Sequence, residues 1–507
     1  MELRVEGVRA KLMKGAAWLT ATRLLLNALG LLSTFILARL LSPSDFGIVA
    51  IATAILAISM SITDLSLGSA LVQRHDLVEE HFHSVFTISL MRSLFIFSVI
   101  AVISYPLSIL YHESRLFPVL IATGFISGLS GLASPKMVML TRRLVFWQEF
   151  AVQGASRVLV FIGAVGCAVL LKNYWALIVG NLIGAVCSVI LSYIIAPYLP
   201  RISFAKFREL FSFSFWLSLG DTVNTLNWKL DQLVLGYLVG KAQLGLYTVA
   251  DNISGLPVRE STQPLTRTLF PAFSRIAHDP ARLQVAYTRA QTLVCAIAIP
   301  VGFGFAVVAD PVVRLFLGAK WLAAIPIIQI LSATFAFQSL SSSLQPLAMA
   351  TGATRLLFGR DVRTFLIRVP FIIGGFLLGG LLGVVIGRSI SSFIGTTWNM
   401  ALVSTLTGIS VFRQFLDNAR ILIAASVMVV VAMLVQMTLS TAGLHLPALL
   451  TIIAVVLCGA ATYGSTLLVL WALAGRPKGP ETEALDLATR LIPTTAFLPF
   501  LSRMRRN

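Results

Sequence analysis

Apolar residues dominate this chain in long blocks, and short polar clusters separate them. Blocks of roughly twenty or more apolar residues fall at 15–38, 46–70, 84–110, 115–135, 150–171, 174–197, 210–239, 244–266, 288–309, 322–350, 364–383, 384–407, 421–440 and 447–473. Each is long enough to cross a bilayer as a helix, which needs about 20 residues. The blocks show none of the alternation that a membrane-spanning barrel requires. A segment in lipid must satisfy its own backbone, so every block predicts a helix. The expected fold is an all-α polytopic membrane protein with about fourteen transmembrane helices. An even count puts both termini on one side.

Composition agrees. Of 507 residues, 57% are hydrophobic and only 12% charged, about half the charge of an ordinary soluble protein. A soluble enzyme or a disordered chain is excluded. The net charge of +18 suggests nucleic acid until the positions of the charges are examined. Of 39 Lys and Arg, seven lie in block interiors (Arg23, Arg92, Arg157, Lys229, Arg259, Arg368, Arg388), six lie in loops or at block edges on the assigned outer side (Arg39, Arg115, Lys172, Lys241, Arg314, Lys320), and the other 26 lie in loops or at block edges on the opposite side. Loops rich in Lys and Arg stay in the cytoplasm, so both termini are expected there, and no nucleic-acid partner is needed. Arg4, Arg9, Lys11 and Lys14 lead into the first block without a small-residue cleavage site, so that block reads as a retained span. Cys167, Cys187, Cys295 and Cys458 lie within apolar blocks and read as small core residues. The tail from Gly475 turns polar and ends in Arg503, Arg505 and Arg506, the pattern of a surface helix with a basic anchor.

An internal repeat organises the blocks. The segment from Leu40 to Ala52 recurs in outline from Leu238 to Ala250, with Gly47 over Gly245 and Ala52 over Ala250, a constant offset of 198. Six spans separate the copies, so the two units share one orientation. Parallel repeats of this kind place a site between transporter halves. The expected organisation is a six-helix bundle over 1–200, a second over 201–410, two further spans over 411–474 and a cytoplasmic tail over 475–507.

Several ionisable residues fall within the blocks, among them Arg23, Asp64, Arg92, Arg157, Asp221, Lys229, Asp231, Asp251, Arg259, Glu260 and Arg388. At about 2.5–3.5 kcal/mol each, they cannot all face lipid. Arg23, Asn27, Gly30 and Thr34 form one helical stripe; Ser214, Ser218, Asp221, Thr225, Trp228 and Asp231 form another. The eighth block carries Asp251, Ser254, Arg259, Thr262 and Gln263 between Pro257 and Pro264. Such stripes predict a hydrated space among the first, second, seventh and eighth helices. Asp64 and Arg388 lie nearer block ends, where snorkelling is the alternative; Lys229 and Asp231 are candidates to cap a helix end. Candidate cavity residues are Arg23, Asn27, Thr34, Arg92, Arg157, Asn224, Trp228 and Arg259. No phosphate-binding loop, serine-nucleophile motif or zinc-protease motif occurs. The six histidines read as loop residues, and His81 and His83 beside Glu79 and Glu80 as a solvated charged face. No metal or cofactor is expected.

Certain runs carry a family likeness. Phe35-Ile36-Leu37-Ala38-Arg39-Leu40-Leu41-Ser42-Pro43-Ser44-Asp45-Phe46-Gly47 resembles the first hairpin of bacterial polysaccharide flippases, and so does Asp64 to Arg74 after the second span. Asp231 to Asp251, with Leu244-Gly245-Leu246-Tyr247, is similar to their second-half hairpin, and Leu269 to Arg275 to an internal loop. The likeness spans about 10–410 and points to the Wzx-like, polysaccharide transport branch of the multidrug/oligosaccharidyl-lipid/polysaccharide exporter superfamily. It implies alternating-access transfer of undecaprenyl-diphosphate-linked oligosaccharide from the cytoplasmic to the periplasmic leaflet of the inner membrane, for exopolysaccharide, capsule or O-antigen synthesis. Membrane lipids, a polysaccharide polymerase and export machinery are the implied partners. On that reading Arg23 is the best-placed cation for the diphosphate, Trp228 offers a sugar-stacking face, and the lipid tail lies along a groove by the last two helices. Asp221, Asp251 and Glu260 are candidates for proton or sodium coupling. Three rivals remain: a drug/cation antiporter of the same fold, a membrane polymerase or ligase, and a scaffold binding synthesis partners through its tail.

Overall fold

The computed structural model describes residues 25–64, 71, 78–142, 147–205, 207–441, 447–476 and 481–482, without side-chain detail at 141–142, 207–221 and 440–441. Arg23, the side chains of Ser214, Ser218 and Asp221, most of the Asp64 to Arg74 run, His75, His445 and nearly all of the tail lie outside these.

Most of each predicted block falls on helix where it is described. In chain order the main helices are α1 (Leu25–Leu40), α2 (Pro43–Ile62), α3 (Glu79–Leu110), α4 (Leu116–Ser130), α5 (Trp147–Leu171), α6 (Trp175–Ile195), α7 (Phe207–Leu238), α8 (Gly240–Ile276), α9 (Pro280–Val307), α10 (Ile325–Gln338), α11 (Thr354–Thr407), which holds two blocks, α12 (Val411–Asp417), a short helix outside every block, α13 (Ala419–Thr441) and α14 (Ala448–Leu473), with further short helices at Val138–Arg142, Ala309–Val312 and Leu344–Ala350. Among the described residues there is no strand, and 9 helices are long and apolar enough to cross a membrane. Neither α7 nor α8 is among those 9; these two carry most of the polar stripes, which lowers their hydropathy.

Two predicted spans meet inside α11. The helix breaks at Gly379 and Gly380, where Gly380 has φ 56 and ψ −135, a conformation open to glycine alone. The chain reverses there, about four residues before the boundary that hydropathy indicates, because backbone freedom sets the turn. Another expectation is corrected at the end of α8. Leu269 to Arg275, expected as a loop, is helix, and Phe273 is buried beside Tyr287 and Leu347. At 37 residues and about 1.5 Å per residue, α8 is far longer than the roughly 30 Å hydrocarbon core. Its last turns therefore leave the lipid as helix.

The chain forms two compact units. One comprises Met1–Ala250, Phe316–Ala324 and Gly375–Gly383; the other comprises Asp251–Leu315, Ile325–Gly374 and Val384–Asn507. In the first, α5 and α6 bury Ala164, Ala168 and Ala176 against Leu37 and Leu41 of the α1–α2 corner; small side chains allow such close helix packing. In the second, α9 packs on α10 and α13 around Cys295, Ile299, Leu340 and Ala425.

Candidate functional site

In the first unit, Ser42 caps α2: its backbone N–H and hydroxyl both donate to Asp45, at 2.9 and 2.6 Å, and Pro43 opens the helix. The second copy of the repeat turns from α7 into α8 at Gly240, with φ 79. The copies then meet each other. A Cβ on Gly47 would fall on the Lys241 carbonyl, and one on Gly245 would fall on the Pro43 carbonyl. Under the repeat offset, Lys241 is the counterpart of Pro43 and Gly245 of Gly47, so the contact is reciprocal, as across a two-fold axis. The two helix starts cross backbone to backbone, and only glycine fits.

Charges and aromatic rings reinforce this end. Glu113, buried after α3, accepts from Arg115 at 2.7 Å and pairs with Lys241. Burial alone raises a carboxyl pKa; here the hydrogen bonds from Arg115 and Lys241 outweigh it and hold Glu113 down to about 2. A depressed pKa stabilises the fold above the ordinary carboxylate range, and that stability fades as pH falls from about 4.5 towards 2. Glu113→Gln is therefore expected to cost about 1–2 kcal/mol at pH 7, after allowance for the half-exposed partners. The gap in melting temperature from wild type should close as pH approaches 2; a gap unchanged with pH would refute the clasp. Beside it, the Trp321 indole donates to the Ala38 carbonyl at 2.8 Å and meets Phe46 edge-on, while Phe316 stacks on Phe35. Sequence reasoning missed this clasp, although the repeat offset already aligned the two glycines.

The intramembrane charges divide into committed and uncommitted groups. Arg92 donates to Thr63 at 3.2 Å, to Asp64 at 3.3 Å and to the Met60 carbonyl at 2.9 Å, placing a cation where the C-terminus of α2 leaves carbonyls unsatisfied. Asp231 is buried and accepts from the Tyr247 hydroxyl at 2.8 Å, tying α7 to α8, and Lys229 donates to Gln232. In the second unit, Arg388 is buried with its guanidinium 2.6 Å from Asp251, off the line of a hydrogen bond, and lies over the Phe335 ring. Arg157 in the first unit and Arg259 in the second are exposed within their helices, and neither has a hydrogen bond or ion pair among the described residues. Asn224 and Trp228 are exposed on α7; Asn27 and Glu260 are half-buried. Thr34, also half-buried, donates back to Gly30.

The histidine reading needs correction. His81 and His83 lie in the first turn of α3; His81 is buried and accepts from the Val78 N–H, and His83 meets the Tyr198 hydroxyl at 2.7 Å. A helix start leaves N–H groups without partners, and that demand, invisible in composition, draws the ring inward. No group of His, Cys, Asp and Glu suited to a metal occurs among the described residues.

With this geometry in place, comparison with known proteins is informative. A family model described as "Polysaccharide biosynthesis protein" matches residues 36–326. The lipopolysaccharide biosynthesis protein WzxC of Escherichia coli (strain K12) is 23% identical over 81% of this chain and 84% of its own length. The succinoglycan biosynthesis transport protein ExoT of Rhizobium meliloti (strain 1021) is 26% identical over 86% of this chain and 88% of its own. Among solved structures, the lipid II flippase MurJ in an inward closed conformation superposes with a TM-score of 0.71 at 16% identity, over 92% of this chain and 100% of that one. An inward-facing multidrug resistance MATE transporter gives a TM-score of 0.58 at 16% identity, over 76% of this chain and 96% of that one.

Proposed function

The chain belongs to the polysaccharide biosynthesis protein family, and on that footing we propose that it flips undecaprenyl-diphosphate-linked oligosaccharide repeat units from the cytoplasmic to the periplasmic leaflet. It is a multi-pass inner-membrane protein with the Wzx-like sequence and the MurJ and MATE fold, a transporter rather than an enzyme. The observation that carries the reading is the pair of uncommitted intramembrane cations, Arg157 and Arg259. An unpaired guanidinium at membrane depth is expensive unless it faces a wet or anionic space. It is also the group best shaped to hold a phosphate oxygen pair.

On this reading about fourteen spans cross the membrane and both termini are cytoplasmic. In the first unit Arg157 and Arg23 are the candidate cations for the diphosphate, while Asn27, Asn224 and the exposed face of Trp228 are the candidates to contact sugar; Arg259 is the candidate cation of the second unit. The membrane potential favours outward movement of anions, by about 2.3 kcal/mol per charge per 100 mV. Arg92 serves α2 and α3 and leaves little for cargo. Coupling by Asp251 requires its Arg388 pair to open, so Glu260 is the freer candidate among the described side chains, and Asp221 is a further candidate from the sequence. A drug/cation antiporter shares the fold, but free guanidinium groups repel a cationic drug.

Complementation of a deletion strain tests the reading. Wild type should restore surface polysaccharide. Arg157→Ala, normally folded and inserted, should lower it about tenfold or more, since a charge-assisted phosphate contact is worth about 1.5–3 kcal/mol, and repeat units should accumulate in the cytoplasmic leaflet. Undiminished export by the deletion strain, with no second flippase present, would contradict the assignment.

A further inference from the structure

The second arm of α11 carries an apolar furrow of about 760 Å³, lined by Ile386, Ile390, Phe393, Ile394, Trp398 and Ala401 and flanked by Ile330 and Val411. Ile386, Ile390, Phe393, Thr397 and Ala401 follow steps of four, three, four and four, with Ile394 and Trp398 beside them, so they form one helix face. From Ile386 to Ala401 that face runs about 22 Å, most of the roughly 30 Å hydrocarbon thickness. Two hydroxyls border it, and both are spent within the protein. Ser389 donates to the Val385 carbonyl and Thr397 to the Phe393 carbonyl. The furrow therefore offers hydrocarbon alone.

One end carries a cation. Arg363, on the first arm, lies over the Trp398 ring at 5.1 Å from the centroid. It is exposed and has no hydrogen bond or ion pair among the described residues. The nearby carboxylate, Asp361, is engaged by Arg360 at 2.7 Å. The cation–π contact holds the guanidinium near the ring and leaves its N–H groups for phosphate. Loop charge assigns this end to the cytoplasmic leaflet. A long apolar track ending in an exposed guanidinium matches an anionic lipid with a single chain.

We propose that this furrow docks the polyisoprenoid chain of the lipid-linked cargo, with Arg363 holding its phosphate end during loading. The proposal rests on the flippase reading. It places the tail on the second arm of α11. The furrow keeps the tail in lipid contact while the polar head enters the protein, so the hydrocarbon need not cross a polar space.

Photo-cross-linking tests this on the full-length protein. Benzoylphenylalanine replaces Ile390, or Val102 as a control, a lipid-facing residue of α3 that is 75% exposed. The protein is placed in phosphatidylethanolamine and phosphatidylglycerol vesicles containing a little undecaprenyl diphosphate, irradiated, and its adducts weighed. At position 390 the ratio of prenyl to phospholipid adducts should exceed the control ratio about tenfold, the change expected from about 1.4 kcal/mol of preference. Arg363→Gln should return it to the control ratio. Equal ratios at 390 and 102 would overturn the proposal, as would enrichment indifferent to Arg363→Gln. Wild-type vesicles are assayed in parallel for transfer of the lipid-linked oligosaccharide. Absence of transfer counts against the flippase reading; normal transfer with no prenyl enrichment counts against the furrow alone.

Discussion

Replacing Gly245 or Gly47 by leucine is expected to abolish the native assembly of the first unit. A side chain at either site would occupy the space of a backbone carbonyl, that of Pro43 or of Lys241. Neither carbonyl can rotate away as a flexible side-chain tip would, because each belongs to the opening turn of a helix whose start is already fixed. Ser42 and Asp45 lock one start, and Glu113 grips Lys241 at the other. Relief must come from separating α2 and α8, which also strains the Trp321 and Phe46 contacts nearby. Ordinary overpacking costs about 1–3 kcal/mol, and this case belongs at or above the top of that range. Alanine is expected to weaken the unit measurably and leucine to eliminate folded protein, read as the monodisperse fraction after detergent extraction. A leucine variant with wild-type yield and melting temperature would refute the close crossing.

Asp251→Asn is the second large effect. It leaves Arg388 buried without its carboxylate, and removing one partner of a buried ion pair costs about 3–5 kcal/mol. Arg388→Met alone should be similarly damaging, since it strands the carboxylate. The double substitution Asp251→Asn, Arg388→Met should recover much of the loss, because a neutral pair carries no uncompensated charge. A double-mutant cycle in melting temperature reads the coupling directly. Additive losses would show that the 2.6 Å approach is energetically empty. Strong coupling would establish that the charge of Asp251 is balanced from within the protein.

The helices were legible because lipid imposes one rule on every block: apolar outside and hydrogen-bonded within. The reversal in α11 was nearly legible, since Gly379 and Gly380 are visible in the sequence; hydropathy blurred its position because the residues on both sides are equally apolar. The course of α8 past Leu269 was not legible, because prolines read as breaks when their neighbours are unknown. Among the candidate site residues, the sequence identified which were costly but not which were paired. Arg92 and Asp64 are 28 residues apart and Asp251 and Arg388 much farther, and no spacing rule reaches that far. Arg157 carried no signal that set it apart from Arg92 until the partners of each were seen. The repeat offset was the one long-range signal available. It aligned Gly47 with Gly245, and those two residues lie at the crossing.

The central claim is tested most directly by reconstituting the purified protein into sealed vesicles with an undecaprenyl-diphosphate-linked oligosaccharide in one leaflet. The measurement is the fraction of oligosaccharide that becomes accessible to an impermeant glycosidase on the other side. The account predicts protein-dependent transfer that Arg157→Ala slows by about tenfold or more. Folded wild-type protein that transfers no more lipid-linked oligosaccharide than empty vesicles, across an imposed potential and with protons and sodium supplied, would contradict it.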